Sequence, residues 1–297
     1  MIQILNGDCR DILPTIPEKS VHCCVTSPPY WGLRDYGVKG QLGLEKTPEE
    51  YVAEMVKVFS EVRRVLRDDG TLWLNLGDSY VANGSNQVPQ TKQHVGSGFA
   101  GANRNGCTGL QPKNLVGIPW RVAFALQSAG WYLRQDIIWA KPNPMPESVT
   151  DRCTKAHEYI FLLSKSARYF YDREAIKETG AGRKDLGEMT SSARLNQGGV
   201  WAHTEKTTDT RNKRSVWTVA TQPYSAAHFA TFPEKLIEPC ILAGCPEGGT
   251  VLDPFGGSGT TGRVAIKNRR DAILIDLNPE YIELQGDRTA NVQINLF

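Results

Sequence analysis

Between Thr250 and Asp276 the chain reads strand, glycine-rich turn, helix, strand, and no other stretch constrains the fold as tightly. Thr250–Leu252 is a short apolar strand, and Asp253-Pro254-Phe255-Gly256-Gly257-Ser258-Gly259 forms the turn. Thr260 to Asn268 has helical spacing, and Ala272 to Leu277 is a second apolar run that carries Asp276 near its tip. Two parallel strands joined through a helix need a sheet with helices packed on its faces, so the expected class is α/β. Glycines after a strand let a ligand approach the backbone N–H groups at a helix start. A carboxylate about twenty residues on accepts hydrogen bonds from ribose hydroxyls in such units. The turn therefore predicts an adenosine-containing cofactor.

Gly257, Gly259 and Gly262 also satisfy G-x-G-x-x-G, which brings in a nicotinamide dinucleotide. Too little chain follows Gly262 for the second mononucleotide half of such a fold. A phosphate-binding P-loop fails because no Gly-Lys-Ser/Thr follows the glycines.

A second constellation, Thr26-Ser27-Pro28-Pro29-Tyr30-Trp31, directly follows the apolar run 20–26. Consecutive prolines are stiff and offer carbonyls without N–H donors. Ser27 adds a hydroxyl, and Tyr30 and Trp31 offer aromatic faces to a planar ligand. Taken alone, a proline-stiffened turn covered by aromatics reads equally well.

The remaining elements follow from pattern. Residues 1–5 read as a strand and Asp11 to Ile16 as a short helix. A helix starts at the Thr47-Pro48-Glu49-Glu50 cap and is expected to stop at Asp69-Gly70, before a buried strand at Thr71–Leu76. Residues 117–129 return to helical spacing. Two strand-like runs, 132–140 and 158–163, follow as an antiparallel pair, and Phe232 to Leu242 is helical. Residues 83–114 are expected to form a long flexible loop. Residues 173–215 break the α/β rhythm with nine Lys/Arg against six Asp/Glu, and read as an inserted recognition segment. The expected organisation is a catalytic half at 1–172, the insertion at 173–215, and a cofactor-binding half at 216–297.

The pair of motifs resembles the DNA amino-methyltransferases. TSPPYW matches their catalytic (D/N/S)-P-P-(Y/F/W) tetrapeptide in its serine form, and DPFGGSGTT matches their cofactor loop. Asn6-Gly7-Asp8-Cys9 looks like the family's acidic motif for the cofactor adenine. GTLWLNLGDSY (70–80), WYLRQDIIWAKPNPMP (131–146) and HFATFPEKLIEPCI (228–241) are similar to its other core motifs. The catalytic motif precedes the cofactor loop, as in the permuted β-group. The resemblance implies a doubly wound, circularly permuted, seven-stranded, mostly parallel sheet with one antiparallel strand, the seventh, and it puts Asp8 and Asp276 on neighbouring strands. It implies S-adenosylmethionine as cofactor, bound by Asp8, Asp253, Phe255, Gly257, Ser258, Gly259, Thr260 and Asp276. Ser27, Pro28, Pro29 and Tyr30 become the catalytic set. Hydrogen bonds from a base NH₂ to the Ser27 hydroxyl and the Pro28 carbonyl would aim its lone pair at the methyl group, with no covalent enzyme intermediate. The serine form usually accompanies cytosine N4, with adenine N6 as the alternative. Carbon-5 methylation would need a Pro-Cys nucleophile, and the sole such pair, Pro239-Cys240, falls in a helical pattern.

Charge speaks to the substrate. The net charge is only +2, but from Ser79 to Gln135 there is no Asp or Glu, while Lys92, Arg104, Lys113, Arg121 and Arg134 lie there. Such a surface suits phosphates, and a neutral polar loop that happens to lack acids has the same composition; together with the resemblance it makes double-stranded DNA the expected partner, with Trp31, Lys92, Arg104, Lys113, Arg211, Lys213 and Arg214 as candidate contacts. A cognate restriction endonuclease is the expected companion, and the chain reads as a monomer or homodimer. An RNA or small-molecule methyltransferase and a non-catalytic DNA-binding module stay open as rivals. Seven scattered cysteines without paired C-x-x-C motifs predict reduced thiols and no metal. No apolar run is long enough to span a bilayer and no leader is visible at the amino end, which predicts a cytoplasmic protein without membrane contact.

Overall fold

The computed structural model describes residues 1–33, 35–81, 109–180, 210–222, 232–290 and 292. Along the chain these form β1 (Ile2–Asn6), α1 (Cys9–Ile12), β2 (Val21–Thr26), α2 (Pro48–Val65), β3 (Leu66–Leu76), α3 (Ile118–Ser128), β4 (Tyr132–Ala140) and β5 (His157–Ser164). There follow β6 (Glu178–Thr179), β7 (Thr210–Arg211), β8 (Val216–Thr218), α4 (Glu234–Gly244), β9 (Thr250–Asp253), α5 (Thr260–Lys267), β10 (Asp271–Asp276) and α6 (Pro279–Ala290). Lys92, Arg104, most of the loop 83–114 and most of the insertion 173–215 lie outside the described residues. The ends of that insertion meet in a small antiparallel ribbon of β6 and β7.

One eight-stranded sheet runs β1-β10-β9-β2-β3-β5-β4-β8. Its pairings are parallel except those of β5, which runs against both β3 and β4. Strand β1 pairs with β10 from Ile2–Ala272 to Asn6–Asp276, so Asp8 and Asp276 do leave neighbouring strands. The expected seven strands become eight because Val216–Thr218 adds itself beside Ile138–Ala140. Trp217 explains the addition: its ring is buried among the core residues of one sheet face, and its indole N–H donates to the Arg214 carbonyl.

Side chains alternate across the sheet, and each face is covered by helices. On β2, Cys24 joins Leu72, Leu74, Phe161 and Leu163 under α2 and α3, while Cys23 and Val25 join Trp73, Ile160 and Leu162 under α4 and α5. Five cysteines, Cys9, Cys23, Cys24, Cys240 and Cys245, are buried as free thiols, as small apolar residues are. Among the described residues no helix is long and apolar enough to cross a membrane.

Helix α2 ends at Val65, short of the expected stop at Asp69-Gly70. Leu66 turns to extended backbone and pairs with Val21; the register then jumps to Cys23–Thr71, leaving Arg67, Asp68 and Asp69 exposed in the irregularity. Burying Leu66 on the sheet outweighs continuing a helix whose next residues are polar. The short helix begins at Cys9 rather than Asp11 because the Asp8 carboxylate caps it, accepting from Arg10 N.

The start of α2 follows its cap. Thr47 Oγ1 accepts from Glu50 N at 3.1 Å, while the Glu50 carboxylate reaches back to Lys46 N at 2.9 Å. Thr47→Ala is expected to lower stability by about 1 kcal/mol, read as a shifted urea midpoint at unchanged slope.

Candidate functional site

The parallel strands β1, β10, β9, β2 and β3 all end on one edge of the sheet, where the chain continues into Asp8, Leu277, Pro254, Ser27 and Gly77. Because β5 runs the other way, its first residues, His157 and Glu158, reach the same edge, next to Lys141 beyond the end of β4. A cavity of about 1000 Å³ opens along this edge and is lined by both sequence motifs.

The two motifs are held together by a residue that never reaches the cavity. Asp253 is buried; its Oδ1 accepts from Thr26 Oγ1 at 2.6 Å and Phe255 N at 3.1 Å, and its Oδ2 from Thr261 Oγ1 at 2.6 Å. Burial pushes this carboxyl up to about 6, against the pull of its three donors. The expectation that Asp253 touches the cofactor is therefore corrected: it braces the turn from behind. Gly259 is corrected likewise. It sits at φ +78°, where a Cβ would stand 3.1 Å from the Gln285 Cα, so it shapes the turn and does not line the cavity.

Phe255, Gly257, Ser258, Thr260 and Asp276 do line it. Asp276 Oδ2 accepts from Gly257 N at 2.7 Å and Oδ1 from Asn278 N at 2.9 Å, leaving each oxygen capacity for a further donor. Its burial pushes the carboxyl up to about 6 despite those backbone donors. Arg288 holds the hydroxyls of Ser258 and Thr260 at 2.6 and 2.9 Å from below. Asp8 also lines the cavity, but Arg10 grips it, with Nε 3.0 Å from Oδ1 and Nη2 2.5 Å from Oδ2. Burial acts to raise the Asp8 carboxyl, and the Arg10 hydrogen bonds outweigh it and hold the group below its ordinary value. Two acceptor carboxylates, a wall without side chains at Gly256 and Gly257, and the apolar faces of Phe255 and Leu277 fit a nucleoside cofactor.

At the other end stands the proline loop. Tyr51, buried in α2, donates its hydroxyl to the Pro29 carbonyl at 2.9 Å. Trp31 is corrected from a DNA contact to a core residue: it is 3% exposed and donates its indole N–H to the Glu45 carbonyl. Ser27 Oγ donates to Tyr30 Oη at 3.3 Å, and Tyr30 Oη donates to Glu158 Oε2 at 2.8 Å, with Asn75 Oδ1 at 3.1 Å. Lys141 Nζ pairs with the other Glu158 oxygen. Burial and the Glu158 charge push the Tyr30 hydroxyl well above its ordinary range, so it stays neutral. The tyrosine ring lies so close to Gly77 that a Cβ there would be 2.5 Å from Cε2; only glycine permits this ring position.

Sequence reasoning missed Arg10, Asn75, Gly77, Lys141 and Glu158 as site residues. Asn75 and Glu158 carried a signal, being polar residues inside the apolar runs TLWLNL and EYIFLL. Among the described residues, the candidate cations Lys113, Arg211, Lys213 and Arg214 do not line the cavity. Lys113 pairs with Asp151 at 2.7 Å, Arg211 and Arg214 pair with Glu178 at 2.9 and 2.6 Å, and Lys213 lies over the Trp217 ring. Arg211 to Arg214 sit at the amino end of β8, whereas the cavity is at the carboxyl edge of its neighbour β4.

The model of a family described as DNA methylase, of the N6/N4 methyltransferase type, matches residues 21–286. The chain belongs to this DNA methylase family. It is 47% identical over 296 residues to Type II methyltransferase M.Cfr9I of Citrobacter freundii, covering 98% of this chain and 90% of that protein. It is also 47% identical over 287 residues to Type II methyltransferase M.SmaI of Serratia marcescens, covering 96% and 90%. Among solved structures, PvuII DNA methyltransferase (cytosine-N4-specific) shares the fold with a TM-score of 0.67 at 20% identity, covering 99% and 88%. A putative DNA modification methylase from Thermus thermophilus, solved with S-adenosyl-L-methionine, aligns with a TM-score of 0.59 at 26% identity, covering 98% and 95%.

For this DNA methylase, carbon-5 chemistry through Cys240 has no route: the thiol is buried in α4, its acidity suppressed by burial, and it does not line the cavity. Among the described residues no cluster of three or more His, Cys, Asp or Glu is placed to hold a metal ion.

The elevated Asp276 sets a pH dependence. Only the ionised carboxylate offers both oxygens as acceptors, so a nucleoside whose ribose hydroxyls donate to it would bind more weakly as the group protonates. Affinity for S-adenosylmethionine by calorimetry is expected to fall as pH drops through about 6. Asp276→Asn is expected to bind more weakly at neutral pH and to lose that pH dependence.

Proposed function

We propose that the protein transfers a methyl group from S-adenosylmethionine to N4 of a cytosine flipped out of double-stranded DNA. One observation carries the reading: the Ser27 hydroxyl and the glycine turn with Asp276 open into a single cavity, and the Ser27 proton is already donated to Tyr30. The Ser27 oxygen is thus left as an acceptor for an amine N–H. The cofactor supplies an electrophilic methyl group. Asp276 holds its ribose and Asp8 its adenine, with Phe255, Gly257, Ser258 and Thr260 along its length.

A base amine is a weak nucleophile because its lone pair is delocalised into the ring. Hydrogen bonds to Ser27 Oγ and the Pro28 carbonyl localise that lone pair and aim it, so alignment supplies much of the rate enhancement. Removing the base from the duplex costs a few kcal/mol. Stacking on Tyr30, whose ring is braced by Gly77, returns about 1–3 kcal/mol of it. A serine at the first tetrapeptide position, where aspartate usually accompanies adenine, favours cytosine. Its relatives' designation as Type II methyltransferases supports a restriction–modification setting with a cognate endonuclease. Target choice is assigned to the insertion 173–215.

Incubation with cofactor and unmethylated DNA, followed by digestion to nucleosides and mass analysis, is expected to yield N4-methyldeoxycytidine. N6-methyldeoxyadenosine as the sole product would replace the base and keep the site; label entering RNA in preference to DNA would replace the substrate. Tyr30→Ala is expected to impair methyl transfer with little change in cofactor affinity, whereas Asp276→Ala weakens the cofactor first.

A further inference from the structure

We propose that Glu158 accepts the proton that the methylated amine must lose, through the hydroxyls of Ser27 and Tyr30. The inference rests on the amine-methylating reading of the site, and it holds for either base. When the amine lone pair forms the new N–C bond, the methyl–sulfur bond breaks and its electron pair goes to sulfur. The nitrogen becomes cationic and must release a proton. An aspartate at position 27 would take that proton itself. A serine cannot keep it, because a protonated alcohol is a strong acid, so Ser27 must pass it on.

The hydrogen bonds already run in the required direction. Ser27 Oγ donates to Tyr30 Oη, and Tyr30 Oη donates to Glu158 Oε2. A proton arriving at Ser27 Oγ displaces the serine proton to Tyr30 Oη, and the tyrosine proton moves to the Glu158 carboxylate. Charge balances: amine, sulfonium and carboxylate become methylamine, thioether and carboxylic acid. Glu158 itself lines the cavity, from which water recovers the proton.

The other carboxylates of the cavity are committed elsewhere. Asp8 is clamped by Arg10, Asp276 belongs to the glycine turn, Glu147 is held by Arg152, and Asp78 caps α3 by accepting from Gly117 N and Ile118 N at 3.0 Å. The groups facing Glu158 are Lys141 from the end of β4, Asn75 from β3, Tyr30 from the proline loop, and the charge of Lys155 from the connection before β5. The neighbouring His157 ring is turned to the Tyr159 hydroxyl. Glu158 touches neither base nor cofactor in this scheme; it acts through Tyr30.

Glu158→Gln keeps an oxygen for the Tyr30 hydroxyl but cannot take up the proton, and Tyr30→Phe keeps the ring on Gly77 but removes the middle link. In full-length enzyme each is expected to slow single-turnover methyl transfer by about 100-fold, and the double variant no further. In cofactor-free protein, Glu158→Gln is expected to bring one tyrosine titration to lower pH by ultraviolet difference absorbance. That readout reports the Tyr30–Glu158 contact without any turnover. A Glu158→Gln enzyme with the wild-type single-turnover rate, or with unaltered tyrosine titration, overturns the relay. Ser27→Ala separates the two levels: if it is inactive while Glu158→Gln is unimpaired, the site reading stands and the relay falls. If Ser27→Ala stays active, the site reading itself fails.

Discussion

The site depends on one buried carboxylate. Asp253 takes hydrogen bonds from Thr26, the residue before Ser27, and from Phe255 and Thr261 on either side of the glycine turn. Thr26 and Asp253 are 227 positions apart in sequence. The pairing of Cys23 and Cys24 with Val251 and Leu252 brings the two strand ends side by side, and the carboxylate then fixes the two loops against each other. Burying a charge is costly unless it is hydrogen-bonded, and the elevated pKa records the part of that cost its three donors do not offset. Removing the carboxylate would leave two buried hydroxyls and an amide without their acceptor, which costs more than the bonds contribute. Spacing between the Ser27 hydroxyl and the glycine turn is thus held from behind.

The cavity is lined with acids although the protein handles a polyanion. Each acid is offset where it stands: Arg10 covers Asp8, Lys141 covers Glu158, and backbone N–H groups cover Asp276. The opposite charges of such close pairs largely cancel at a distance, and what reaches solvent is screened over about 8 Å at physiological ionic strength. Local compensation therefore lets carboxylates serve as acceptors without repelling phosphates at the rim, and it is consistent with a chain whose net charge is only +2.

What the sequence made legible was local. The Thr250–Asp276 unit, the α2 cap and the proline loop each rest on turn chemistry and short-range periodicity, and the structure contains all three. The errors were of another kind. Trp31 and Asp253 belong to the right motifs but face inward, because what fills the space behind them, Glu45 and Thr261, comes from other segments. Leu66 left its helix because Val21 was there to pair with it, and β8 exists because Trp217 found a buried slot. Glu158 lies 128 positions from Tyr30 and reaches it only because β5 is reversed, a placement no spacing rule encodes.

The interleaving of β9 and β10 between β1 and β2 also has a consequence for synthesis. A ribosome delivers the proline loop early and the glycine turn late, yet β1 and β2 are not joined in one sheet until β9 and β10 slot between them. Until then the growing chain holds a sheet fragment with an open β2 edge, a surface that other strands can capture. Closure must wait for contacts that span almost the whole chain, which slows folding. In return, an interrupted product stops without the glycine turn and Asp276, so a chain cut short lacks one whole wall of the cavity.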